Sequence, residues 1–210
     1  MLGTPKAILP KAILFDMDGT LTRPNLDFDA IRADVGVVGP ILEAIDLLSA
    51  DQQQIAHKKL LFHERLGAQT SELNDGCVEL LRWVESVGIR TALVTRNTPE
   101  SVETILRKFG LNFDVRITRD DKPYKPQPEP AWLACSRLGI DPTHAWFVGD
   151  GCHDIECAVA ADIASVWISH GQPCSFDARP TVTVRDLLEL HELLRQFAHA
   201  PTVDDVAVST

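Results

Sequence analysis

The sequence predicts an α/β protein: a Rossmann-like, doubly wound parallel sheet with a small helical cap inserted after the first strand. Short apolar runs recur along the chain without strict polar alternation, the pattern of strands covered on both faces. Helical patterns separate most of them, and strand–helix alternation builds parallel sheets. One block, residues 25–72, holds helical patterns alone and directly follows the first run.

The first strand is AILFD (12–16). Within the insertion, DFDAIRADV, PILEAIDLLSA and QQQIAHKKLLFHERL each read as helices. A helix over Asp75–Val87 ends at Gly88 and leads to the strand RTALVT (90–95). Pro99–Phe109 ends at Gly110, before the strand FDVRIT (113–118). Pro130–Leu138 ends at Gly139, before AWFVGD (145–150). Glycine commonly closes helices in this way. Ile155–Ala161 is a further helix, followed by the strand ASVWIS (164–169). TVTV (181–184) supplies a sixth strand and RDLLELHELLRQF (185–197) a last helix. The expected division is a core of residues 1–24 and 73–200, a cap of residues 25–72, and a loosely held tail over 201–210.

With 210 residues the chain suits one ordinary domain carrying a small insertion. Its net charge of −10 argues against non-specific nucleic-acid binding, which needs a basic face. An anionic small substrate requires only local positive charge. No apolar stretch approaches the roughly 20 residues of a membrane helix. MLGTPKAILPKAILFD interrupts its apolar part with lysine and proline, so it lacks a signal-peptide core. The five cysteines are odd in number and form no CxxC pair, which points to a reduced, cytoplasmic setting.

Ligands of open parallel sheets bind beyond the carboxyl ends of the strands. The first strand delivers Asp16, Asp18, Gly19 and Thr20 there; the second delivers Thr95, Arg96 and Asn97. The fourth delivers Asp150, with Asp154 a turn later, and the proline-stiffened loop before it carries Lys122 and Lys125. Each residue alone reads as a turn, a helix cap or a solvated loop position. Together, in this order, they place carboxylates, a hydroxyl and a lysine on one rim.

FDMDGTL (15–21), LVTRN (93–97), KPQPEP (125–130) and GDGCHD (149–154) resemble the four motifs of the haloacid dehalogenase superfamily. The helical insertion resembles its C1-type cap, and the phosphoglycolate phosphatase-like enzymes are the nearest subgroup. The resemblance implies a Mg²⁺-dependent phosphatase acting through an aspartyl phosphate. Asp16 would be nucleophile and metal ligand. Asp18 would be general acid and base, and a ligand through its backbone carbonyl. Asp150 would ligate through its carboxylate, and Asp154 directly or through water. Thr95 and Lys125 would stabilise the transferring phosphoryl group. Gly19 and Thr20 would shape the phosphate-binding turn, and Arg96 and Asn97 would contact substrate.

A hard cation such as Mg²⁺ takes oxygen ligands, which also explains why two carboxylates end an apolar run. The expected partner is a small phosphorylated metabolite, phosphoglycolate-like or a sugar phosphate, with no nucleic acid or membrane; the expected state is monomer or homodimer. A sugar phosphomutase of the same superfamily is the alternative enzyme. A non-catalytic regulatory protein on this scaffold is disfavoured, because Asp16, Asp18, Lys125 and Asp150 are all present. In and beside the cap, Arg23, Asn25, Arg32, His57, His63 and Arg65 are polar residues that either reach substrate or line a solvated face.

Overall fold

Six strands, β1 (Ala12–Phe15), β2 (Arg90–Val94), β3 (Val115–Ile117), β4 (Ala145–Gly149), β5 (Ala164–Ile168) and β6 (Val182–Val184), form one sheet in the order β3-β2-β1-β4-β5-β6. Every pairing is parallel. The computed structural model describes residues 9–199, so the predicted tail lies outside the described residues. The strand order reverses direction between β1 and β4, the position where open parallel sheets form their binding crevice.

All four residues of β1 are buried. Successive strand side chains point to opposite faces. Ile13 and Phe15 therefore pack into one layer with α4 (Cys77–Ser86), α5 (Pro99–Phe109) and α8 (Leu187–His199). Ala12 and Leu14 pack into the other with α6 (Glu129–Leu138) and α7 (Cys152–Ala160). This two-sided burial is why the strand sequences do not alternate. Each large apolar side chain so buried contributes roughly 1.5–3 kcal/mol.

The insertion forms α1 (Phe28–Val35), α2 (Ile41–Asp46) and α3 (Ala50–Thr70). It has its own small core, which includes Ile31, Ile41, Leu42, Ile45, Ala56 and Leu60. The chain enters and leaves it through adjacent segments. Thr22 and Leu73 form an antiparallel bridge, the Arg23 amide donates to the Glu72 carbonyl at 2.8 Å, and the Asn74 amide donates to the Leu21 carbonyl at 2.9 Å.

Helix boundaries differ from the sequence reading in two informative places. The second helical pattern was expected to run to Ala50, but α2 stops at Asp46; Ser49 then opens α3, its amide donating to the Gln52 side chain at 3.2 Å. α7 begins at Cys152 rather than Ile155, because the Asp154 carboxylate folds back to accept from the Gly151 amide at 3.0 Å. Asp154 thus lies inside the first turn of α7. No helix among the described residues is long and apolar enough to cross a membrane.

Candidate active site

Asp16 extends the β1 ladder by one bond, its amide donating to the Val148 carbonyl at 2.9 Å. The chain then curls, with the amides of Leu21 and Thr22 both donating to the Met17 carbonyl at 2.9 Å. Gly19 has φ +84°, and a Cβ there would stand 2.1 Å from Asp150 Oδ2. Backbone conformation and close approach therefore both require glycine at this position. The curl brings Asp18 over the rim, where Asn97 Nδ2 donates to its Oδ2 at 2.5 Å and Thr22 Oγ1 to its Oδ1 at 3.2 Å.

Asp150 and Asp154 arrive from the end of β4 and the start of α7. A Cβ on Gly149 would stand 2.2 Å from Asp154 Cβ, so a larger residue would push Asp154 away. Lys125 Nζ donates to Asp16 Oδ1 at 2.5 Å and to Asp154 Oδ1 at 2.6 Å, and Lys125 is only 2% exposed. Burial opposes the ammonium charge, yet Asp154 and Asp16 raise the Lys125 pKa above the usual lysine value. One carboxylate oxygen each from Asp16, Asp150 and Asp154 lies within 4.8 Å of the others.

Burial pushes the Asp16 carboxyl well above the ordinary range, against the opposing charge of Lys125. Burial, with the neighbouring Asp154 charge, pushes Asp150 up to about 6. Three crowded carboxylates with one ammonium among them form an all-oxygen donor set. Such a set fits a hard divalent cation and does not resemble a soft thiolate or imidazole site.

The other residues expected on the rim make further contacts of their own. Thr95 lines the cavity, and its hydroxyl accepts from the Asn97 amide at 3.2 Å. Asn97 also lines the cavity, but its side-chain amide holds Asp18. Thr20 is fully buried and donates to Asp150 Oδ1 at 3.3 Å. Its side chain thus steadies a carboxylate rather than facing a substrate, and Gly19 contributes through its backbone. Arg96 lines the cavity while its Nη2 lies 2.7 and 2.8 Å from the two Glu43 oxygens of α2.

Of the polar residues singled out in and beside the insertion, Arg32 lines the cavity. Arg23 pairs with Asp75, Asn25 donates to the Gly67 carbonyl, His63 meets Asp34, and Arg65 forms two bonds to Glu100. His57 does not line the cavity. Lys122 lies 3.6 Å from Asp46, away from the carboxylate cluster.

Other contributors carried no mark in the sequence. Asn74 Nδ2 lies 3.0, 2.8 and 3.1 Å from the carbonyls of Gly19, Thr20 and Thr22. His170 Nε2 lies 2.7 Å from the Gly19 carbonyl. Trp167 donates its indole N–H to the Asp150 carbonyl at 2.9 Å. Glu64 of α3 receives both Arg119 nitrogens, at 2.5 and 3.1 Å, and burial pushes its carboxyl up to about 7 despite that partner. The cavity above these groups, about 400 Å³, lies between the sheet rim and the insertion.

Sheet order, helical insertion and a carboxylate–lysine cluster at the strand ends together define a doubly wound α/β scaffold with an acidic site on its rim. The family model of the haloacid dehalogenase-like hydrolases matches residues 10–162, and the chain belongs to that family. A haloacid dehalogenase-like hydrolase domain-containing protein of Arabidopsis thaliana is 32% identical over 165 residues, covering 72% of this chain and 67% of its own length. A phosphoglycolate phosphatase of Pseudomonas savastanoi pv. phaseolicola is 30% identical over 215 residues, covering 87% and 79%. The crystal structure of a hydrolase from Pseudomonas syringae has the same fold, with a TM-score of 0.73 at 19% identity over 88% of this chain and 98% of that one.

Proposed function

We propose that this hydrolase is a Mg²⁺-dependent phosphatase that cleaves a small phosphomonoester through a phosphorylated Asp16. The observation that carries this reading is the buried cluster in which Lys125 bridges Asp16 and Asp154 beside Asp150. The phosphoglycolate phosphatase relative supports the substrate class.

The residues that would hold Mg²⁺ are Asp16, Asp150 and Asp154 with the Asp18 backbone carbonyl, and the cation would supply positive charge to offset repulsion between Asp16 and the phosphate dianion. Every other role belongs to the chain. The Asp16 carboxylate attacks phosphorus, and the bond to the leaving oxygen breaks. Asp18 gives that oxygen its proton; burial raises the Asp18 carboxyl, the direction a general acid needs. Asp18 then takes a proton from the water that attacks the aspartyl phosphate, which releases phosphate and restores Asp16. Lys125 and Thr95 stabilise charge on the phosphoryl oxygens. Residues 25–72 act as a cap that excludes water.

The test is phosphate release from phosphoglycolate, sugar phosphates and an aryl phosphate, with and without Mg²⁺. Release should require Mg²⁺ and vanish in Asp16→Asn, since an amide is a far poorer nucleophile. Full activity after exhaustive chelation would overturn the metal requirement, and turnover by Asp16→Asn would overturn the mechanism.

A further inference from the structure

The insertion supplies a largely apolar wall to the cavity over the carboxylate–lysine cluster. Leu26, Phe28, Ile31, Ile41, Leu42 and Leu60 all face it. Arg32 and Glu64 are the charged residues that the insertion adds to this lining among the described residues. Glu64 is held by Arg119, and Arg32 donates to Asp29 at 2.6 Å. The cations on the rim are also engaged, Arg96 by Glu43 and Lys125 by Asp16 and Asp154. Each cation facing the cavity thus has a carboxylate beside it. A second anionic group on a substrate would share each of these cations with a carboxylate already in place, which weakens the attraction it gains. An apolar group displaces only water.

Phe28 stands apart within this wall. It is the first residue of α1, it is 52% exposed, and it does not belong to the small core of the insertion. A half-exposed aromatic ring on a cavity wall offers apolar surface to a ligand rather than to its own fold. The cavity volume lies at the lower end of the range for small-ligand sites, about 300–1,000 Å³.

We propose that the leaving group of the substrate is uncharged and carries an apolar body, as in an alkyl or aryl phosphate, and that Phe28 selects it. This rests on the phosphatase reading of the same site and narrows its substrate class. A carboxylated or polyhydroxylated alcohol would use neither the apolar wall nor Phe28. The chemistry on the rim is unchanged: the same phosphorus–oxygen bond breaks, and only the alcohol released differs.

The experiment compares kcat/KM for n-alkyl phosphates from methyl to hexyl with phosphoglycolate and glycerol phosphate. All release aliphatic alcohols, so differences among them report binding of the body more than leaving-group chemistry. The value should rise up to about fourfold per methylene until the cavity is filled. Hexyl phosphate should exceed phosphoglycolate. Phe28→Ala should lower the hexyl-to-methyl ratio about tenfold, and Phe28→Leu should recover part of it. A flat alkyl series, a preference for phosphoglycolate, or an unchanged ratio in Phe28→Ala would overturn the inference while leaving the phosphatase reading intact. If no phosphomonoester yields phosphate with Mg²⁺ and no label appears on Asp16, the phosphatase reading falls and this inference falls with it.

Discussion

Asp18 is fixed by two donors, Asn97 and Thr22, in a position that its neighbour Asp16 does not share. The two aspartates should therefore fail differently. Asp18→Asn keeps the nucleophile and the backbone carbonyl but removes the proton donor and acceptor. An aryl phosphate, whose leaving group needs little protonation, should still phosphorylate Asp16. Water attack should then slow by roughly 10²–10⁴. Rapid-quench mixing should show a burst near one equivalent of phenol per site, and steady release without a burst would remove these roles. Lys125→Ala should cost on the order of 10²–10³ in rate, the usual loss for one charge stabiliser. Lys122→Ala should cost far less, because that side chain is exposed and pairs with Asp46. Equal losses would show that Lys125 is not the phosphoryl contact. These residues were legible because their chemistry clusters at strand ends. Asn74 and His170 were not, since each acts on a backbone carbonyl 55 or 151 positions away, and nothing local marks such a bond.

Among the elements, the strands were read almost to the residue, because burial on both faces leaves a continuous apolar signature. Helix starts were less legible. α7 opens three residues early because Asp154 bonds back to Gly151, a local hydrogen bond that periodicity does not register. The ties between α3 and the sheet were also invisible, since charged residues on a helix ordinarily face water. The Glu64–Arg119 pair is such a tie, and it makes a pH prediction. Burial lifts the Glu64 carboxyl from 4.5 to about 7 in the folded protein. The folded state therefore holds this proton more tightly than the unfolded state. Its contribution to stability is fully present below about 4.5 and is lost as pH rises through about 7. Glu64→Gln should lower overall stability by leaving Arg119 unmatched, yet flatten the decline between these pH values. Denaturant titrations at several pH values would check this, and parallel profiles for the two proteins would sink it.

For the whole molecule, a cation that binds the folded chain alone must stabilise it. At a concentration 100 times its Kd, Mg²⁺ should add about 2.7 kcal/mol. For a chain of this size that raises Tm by roughly 5–10 °C. EDTA should reverse the shift and Asp150→Asn should abolish it; a melting curve indifferent to Mg²⁺ in the wild-type protein would argue against the carboxylate cluster as a cation site. The bridge between Thr22 and Leu73 has a different consequence. Because the chain leaves the core and returns at neighbouring positions, the core can be joined across that seam without the segment between them. Residues 24–71 form a parenthesis that a short reverse turn can replace. An excised protein is expected to keep its parallel sheet and to act on an aryl phosphate, while losing discrimination by alkyl chain length. A helical segment of another length can be spliced at the same seam, so that new substrates are acquired by transplanting one contiguous stretch while the reacting carboxylates stay where they are.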